Sequence, residues 1–281
     1  MSSPETTGTD PTVITLSTIP PRFATLAPTL QTLQRQSLPA DEIRVNIPRR
    51  YRRFPDWDGR VPEVPAGVRI VRTDDDFGPA SKLLPTVADL QGQAVDILFC
   101  DDDMLLAPDW HARFKADRSV RPEAALVAVG KQIADIPATA RPQSRLPRAR
   151  RRSKTLTYRL LRAATLTLHK PHPFIASGYV DLLCGFGGVM VRPEFFDSRV
   201  FEIPEVLWSV DDPWLSGHLE RRGVPIWLNH RHRMPRPGRS SRRDALLHLV
   251  VDGHDRDAAD RAVIRHMREH YGIWGTDSLE S

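Results

Sequence analysis

The stretch that most constrains this chain is Val95-Asp96-Ile97-Leu98-Phe99-Cys100, followed at once by Asp101-Asp102-Asp103. The apolar run is short, β-branched and aromatic, and it reads as a buried strand. Three carboxylates directly beyond it repel one another and raise the free energy of the chain unless a cation or hydrogen-bond donors offset them. In an open α/β sheet, ligands bind at the carboxyl ends of the strands. Hard oxygen ligands in that place suit Mg²⁺ or Mn²⁺ holding a diphosphate. The competing reading is a solvated turn or helix cap, because Asp favours N-caps and Pro108-Asp109-Trp110 opens a helix a few residues later.

The rest of the chain repeats the strand–helix alternation. Strands are predicted at Thr12–Ser17, Ile43–Ile47, Val68–Val71, Ala124–Val129 and Pro225–Leu228. Helical spacing follows in Leu26, Leu30 and Leu33, and again in Pro108–Arg118. That order predicts an α/β fold, a mostly parallel central sheet with helices on both faces. The segment Arg49–Pro65, rich in Arg, Pro and aromatics, is expected to be a long irregular connection. The 281 residues suffice for one large α/β domain. No apolar run approaches the ~18 residues of a membrane span. Residues 1–11 are polar, expected to be flexible, and lack the basic start and apolar core of a signal peptide. Cys100 and Cys184 sit in apolar context and read as reduced core thiols, so a cytoplasmic location is expected.

Charge is unevenly spread. Between Ile136 and Val180 there are ten Lys or Arg and no Asp or Glu, while the whole chain carries only +5. The body is therefore mildly acidic and carries one basic insert, 136–180, which is not how a whole-surface nucleic-acid binder is built. No nucleic-acid partner is expected. Its first half, Ala138–Ser153, reads as a mobile Pro/Arg-rich loop. Its second half, Leu156–Leu168, reads either as an ordinary core-facing helix or as an amphipathic helix lying on an anionic membrane or over an acceptor.

Further features add chemistry. After Asp74-Asp75-Asp76-Phe77, the pair Gly78-Pro79 breaks the third strand and opens a helix whose N-terminus can face an anion, with Lys82 on its first turn. Gly185-Phe186-Gly187-Gly188 allows close approach of a ligand or a bulge, but no Gly-Lys-Ser/Thr follows, so it is not a phosphate loop. Asp211-Asp212-Pro213 opens a helix that Gly223 ends. Asp211 or Asp212 as the helix cap is the competing reading, but two carboxylates exceed what capping needs, and one could act as general base, tuned by the other. His230 and His232 fall just beyond the last strand, where a metal ligand has room. Residues 236–281 form a helical extension, with patterns at Ala245–Val251 and Arg261–His270.

Taken in order, these motifs resemble those of GT-A-fold (Rossmann-like) nucleotide-sugar glycosyltransferases of the Asp-X-Asp, inverting, bacterial family-2 kind. The resemblance spans about Thr12 to Arg233 apart from the insert, and implies a glycosyltransferase domain over 12–235. It implies that the loop Ser17-Thr18-Ile19-Pro20-Pro21-Arg22 holds the nucleotide base, with Thr15, Ser17, Pro20 and Arg22 as contacts. It implies that Asp76 and Lys82 lie beside the nucleoside and diphosphate. It implies that Asp101 faces the ribose with Asp102 alongside, and that Asp103 and Asp101 hold Mn²⁺ or Mg²⁺; whether His230 or His232 adds a ligand is left open by their position alone. Asp211-Asp212 matches a Glu-Asp pair, with Asp where Glu is usual, which makes Asp212 the base. Gly185, Phe186, Gly187 and Gly188 would line the acceptor side. The implied partners are a nucleoside-diphosphate sugar and a sugar, glycan or lipid-linked acceptor, with a peripheral contact to the inner membrane face through the insert.

Two rivals stand beside it. A nucleotidyltransferase shares strand-end acids, a lysine and Mg²⁺, but usually has a Gly-rich loop where Ser17–Arg22 has none. A non-catalytic binder could grip nucleic acid or anionic lipid through Arg148–Lys154 by counterion release, which leaves both carboxylate clusters without a role.

Overall fold

Strands form where the sequence alternates between two sets of apolar side chains, one for each face of a sheet. In the computed structural model, which describes residues 10–137, 141–153, 164–165, 172–238 and 256–275, four strands lie side by side in parallel: Thr12–Ser17 (β1), Glu42–Pro48 (β2), Val68–Thr73 (β3) and Asp96–Phe99 (β4). The full sheet has eight strands in the order Gly178–Val180, Ile226–Leu228, Ala125–Val127, Val189–Val191, β4, β1, β2, β3. Ile226–Leu228 runs parallel to Ala125–Val127. Val189–Val191 is antiparallel to both neighbours, and Gly178–Val180 is an antiparallel edge. The α/β class and the mostly parallel sheet predicted from the sequence are both present.

Period-two alternation divides the core. Val13, Ile97, Phe99, Val189 and Val191 pack under the helices Leu84–Asp89 and Asp212–Arg221, through Val87, Trp214 and Leu219. Ile14, Leu16, Leu98, Leu126 and Met190 face the opposite way, toward the helices Ala27–Gln34 and Trp110–Val120, through Leu30, Leu33 and Phe114. At the start of β4, Asp96 is fully buried; Lys115 at 2.7 Å, Arg118 at 2.9 Å and Arg192 at 3.4 Å offset its desolvation.

The chain runs outward from β1 to β2 to β3, then returns to place β4 against the other side of β1. That reversal makes a crevice between the carboxyl ends of β1 and β4, where an open α/β sheet takes its ligands.

Two sequence expectations change. Residues 141–153 are folded onto the domain rather than loose: Asp181 takes Arg141 at 2.9 Å and also Arg148, while Arg145 reaches Glu220 at 3.3 Å. The end of the basic range belongs to the sheet, since Gly178–Val180 is its edge strand. The C-terminal helix Arg256–Tyr271, which covers the pattern expected at Arg261–His270, docks on the domain: its Val263 and Met267 are buried in the same cluster as Trp214. Both cysteines are buried and neither is in a disulfide. Among the described residues no helix is long and apolar enough to cross a membrane. The expectations for residues 1–9, the helix at Ala245–Val251 and nearly all of Leu156–Leu168 lie outside the described residues.

Candidate active site

The crevice is lined by the loop after β1, the triplet after β4, the turn after β3 and the segment entering the helix Asp212–Arg221. Each aspartate of the triplet has a different fate. Asp102 is buried, accepting from the Thr18 hydroxyl at 2.6 Å and from Arg22 at 2.6 Å, and its carbonyl accepts from Thr29 at 2.9 Å. It ties the triplet to the loop after β1. Burial raises the pKa of its carboxyl, against the pull of Arg22 and Thr18. Tyr51 steadies the same loop by donating to the Thr18 carbonyl at 2.7 Å.

Asp103 lies 3.5 Å from Arg22 through one oxygen. Its other oxygen, Oδ1, is buried with no hydrogen-bond partner. Burial, with Asp101 and Asp102 beside it, pushes this carboxyl up to about 6. Its carbonyl accepts from Gly238 at 2.6 Å, where Arg236–Pro237 pairs with Met104–Leu105.

Asp101 is the most open of the three and accepts from Lys82 at 2.6 Å. Lys82, on the 3₁₀ turn Gly78–Lys82, is buried and makes a second ion pair with Asp211 at 2.8 Å. Burial opposes its charge, but Asp101, Asp211 and Asp212 together outweigh that and raise its pKa well above the usual lysine value. One ammonium thus joins two acidic clusters that stand 110 residues apart in sequence, at 101 and 211.

Asp212 begins the helix Asp212–Arg221 and its Oδ1 accepts the Gly185 N–H at 2.9 Å. Gly185 leaves room for the lysine: a Cβ there would stand 2.6 Å from the Lys82 Nζ and 3.3 Å from Asp212, so the ammonium would have to shift. The helix start is fixed by Ser216, whose hydroxyl donates to the Asp212 carbonyl at 2.6 Å and accepts from Leu183 N–H at 2.9 Å. Farther along the glycine-rich turn, Gly188 has φ +100 and lies against Trp110, whose indole donates to the Gly187 carbonyl at 3.1 Å. Phe186 between them is half-buried.

The structure therefore brings together Arg22, Lys82, Asp101, Asp102, Asp103, Asp211, Asp212 and Gly185. It gives other partners to several expected site residues. Thr15 is wholly buried, its hydroxyl held between Thr86 and Asn46 at 3.0 Å each. Asp76 accepts two main-chain N–H groups, from Arg52 at 2.8 Å and Gly78 at 2.9 Å. Ser17 closes β1 half-buried, and Pro20 starts the 3₁₀ turn that carries Arg22. His230 bonds to Ser177 at 2.8 Å, and His232, its ring tilted against Phe114, bonds to Asp117 at 2.8 Å. Among the described residues no group of three or more His, Cys, Asp or Glu is placed to hold a metal, so neither histidine joins Asp101 and Asp103. Thr18 and Ser216 are the contributors the sequence did not single out. Ser216 carries a signal in its i+4 spacing from Asp212, a distance at which a serine hydroxyl bonds back to the preceding turn.

No protein-family model matches the sequence, and no curated protein matches it. Among solved structures the chain is similar to S. aureus TarS 1-349 in complex with UDP-GlcNAc, at a TM-score of 0.48 and 14% identity, over 92% of this chain and 66% of that one. The same protein in complex with UDP gives 0.43 and 12%, over 82% and 61%. A crystal structure of S. aureus TarS gives 0.45 and 14%, over 83% and 37%. The chain spans 37% to 66% of the length of these structures. A likeness this distant carries no functional weight, and the chemistry rests on the residues of the crevice.

Proposed function

We propose that this protein is an inverting glycosyltransferase that moves a sugar from a nucleoside-diphosphate sugar to an acceptor hydroxyl. The observation that carries the reading is Lys82, buried and bridging Asp101 to Asp211, because it makes one site of two carboxylate clusters with different tasks.

A departing diphosphate needs cations fixed in advance where its charge develops. Arg22 and Lys82 supply two such charges from the loop after β1 and the turn after β3. On the other side of Lys82, in this reading, Asp212 takes the proton from the acceptor hydroxyl as its oxygen bonds to the anomeric carbon. The bond from that carbon to the diphosphate breaks, and the electron pair leaves with the nucleotide. With one displacement and no covalent sugar on the protein, the configuration inverts. Asp211, paired to Lys82, keeps the ammonium beside the reacting carboxylate, and the Gly185 N–H fixes the direction in which Asp212 points.

Asp101 and Asp103 fit a Mg²⁺ or Mn²⁺ ion shared with phosphate. The buried Oδ1 of Asp103, which no hydrogen bond reaches, and its raised carboxyl mark negative charge that Arg22, 3.5 Å from the other oxygen, does not fully offset. Two carboxylates plus substrate phosphates are the usual donor set for Mg²⁺, which seldom uses an all-protein cage. When bound, such an ion would add Lewis-acid neutralisation of the leaving group. A peripheral contact of the basic insert with anionic lipid belongs to the same reading, through the exposed Arg150, Arg151 and Arg152.

The deciding experiment is incubation with Mn²⁺ and a panel of nucleotide sugars, scoring release of nucleoside diphosphate. Asp212→Asn should retain nucleotide-sugar binding and lose transfer by 10²-fold or more, in line with loss of a general base. Normal transfer by Asp212→Asn would remove it from this role, and no turnover of any nucleotide sugar by the wild type would end the reading.

A further inference from the structure

Next to the carboxylate site, a cavity of about 520 Å³ opens between the turn after β3, the exposed side of the helix Leu84–Asp89 and the segment leading to Asp211. Its volume falls within the roughly 300–1,000 Å³ of small-molecule pockets. Its walls are of two kinds. Phe77 and Phe201, with ring centroids 5.9 Å apart, and Trp208 give flat apolar faces. Asp74, Asp75 and the Arg52 guanidinium, which lies 5.6 Å over the Trp208 ring, give the polar rim.

Trp208 is a fixed wall. Its indole N–H donates to the Asp76 carbonyl at 2.8 Å, and it presses on Gly78 so closely that a Cβ there would meet its carbonyl at 2.6 Å. Gly78 begins the turn that ends in Lys82, and Trp208 precedes Asp211 and Asp212 by three and four residues. Four residues span at most roughly 14 Å, so the Trp208 backbone stays within that reach of the Asp212 backbone.

Ionised carboxylates accept hydrogen bonds and donate none. An occupant must therefore bring several donors together with an apolar face to lie on a ring. A pyranose does both, through its hydroxyls and its C–H face. More carboxylates than cations line the cavity, which disfavours phosphate and uronate there.

We propose that this cavity holds a saccharide unit of the acceptor, a neutral or amino-substituted ring stacked on Trp208 with hydroxyls donating to Asp74 and Asp75. The assignment rests on the transferase reading and narrows its acceptor to a glycan or glycoside.

The test titrates the full chain with oligosaccharides ending in hexose, N-acetylhexosamine, hexosamine or uronic acid, followed by ligand-observed NMR, with nucleoside diphosphate binding measured in parallel. Neutral and amino-terminated sugars should bind and uronic ones should not. Trp208→Ala should weaken saccharide binding tenfold or more and Asp75→Asn, at an exposed position, severalfold, with nucleoside diphosphate affinity unchanged in both. Binding indifferent to both variants, or no saccharide bound by the wild type, overturns the proposal. So does a Trp208→Ala variant that loses nucleoside diphosphate as strongly as saccharide, because the cavity then belongs to the donor. If saccharide binding depends on Trp208 while no nucleotide sugar is bound at all, the cavity assignment stands and the transferase reading fails.

Discussion

Asp103 shows how one carboxyl trades stability for a ligand. Its pKa of about 6 lies above the 3.8 of an unperturbed Asp, because burial and two neighbouring aspartates disfavour its charge. As pH rises through that interval, the unfolded chain gives up this proton first, and the folded protein binds more protons than the unfolded one. Stability therefore falls across about pH 4 to 6 and stays lower above it. Two pKa units correspond to about 3 kcal/mol. Asp103→Asn should therefore be more stable than wild type at pH 7.5 by up to about 3 kcal/mol in urea unfolding, and the gap should close near pH 4. A variant no more stable than wild type at pH 7.5 would show that a cation or donor already offsets the charge. Mn²⁺ with a nucleoside diphosphate should raise the melting temperature of the wild type and leave that of Asp103→Asn unmoved. Gly185→Ala should act differently, since the added methyl meets the Lys82 ammonium. The lysine must swing away from its two carboxylates, and transfer should fall at least tenfold with the fold intact by circular dichroism. Composition alone presents the triplet as three equal acids, and the family resemblance adds only expected roles for Asp101 and Asp103. Only the structure separates Asp102, spent on Thr18 and Arg22, from Asp103 with its unpaired oxygen. Nor does any spacing in the chain encode that Lys82 meets Asp211.

Among the elements, the helix Asp212–Arg221 carries the candidate base at its first residue and is held from behind by Arg256–Tyr271. Gly217 is the point of contact: a Cβ there would lie 2.7 Å from the Met267 side chain, which is itself fully buried. Met267→Ala should cost 2–5 kcal/mol, as for other buried methionines cut to alanine, in urea unfolding. A loss under 1 kcal/mol would mean that the two helices are not tightly coupled. The helical pattern at Arg261–His270 and the helix from Asp212 to Gly223 were both legible, through 3.6-residue periodicity and the Pro and Gly that bracket the second. Their docking was not, because amphipathicity says that a face is buried and not against what. Strands were legible by another signal: the short continuous apolar run of β4 marks a strand buried on both faces, and both faces are filled here. The histidines after Ile226–Leu228 were placed correctly beyond a strand end, but on the far half of the sheet from the crevice between β1 and β4.

On the scale of the whole molecule, the basic segment was legible as a change in charge but misread in its mechanics. A run of arginines without acids looks mobile only while its partners are sought nearby in sequence. Here they lie beyond the run, in Asp181 and Glu220, which take Arg141, Arg148 and Arg145. The segment also covers the sheet edge: the Ala149 N–H donates to the Tyr179 carbonyl at 3.1 Å, and the Tyr179 N–H to the Pro147 carbonyl at 2.9 Å. An uncovered edge strand offers unpaired main-chain groups to another chain. Removal of residues 138–154 should therefore expose Gly178–Val180 and yield soluble aggregates by light scattering, whereas Arg150→Gln with Arg151→Gln and Arg152→Gln should leave a monodisperse protein. If the anionic-lipid contact of the insert is real, the same triple change should weaken binding to phosphatidylserine vesicles by 10²-fold or more, at about 1 kcal/mol for each arginine. A monodisperse deletion variant with an unchanged melting temperature would show that the edge has other protection and that the segment is the separable insert its composition suggests.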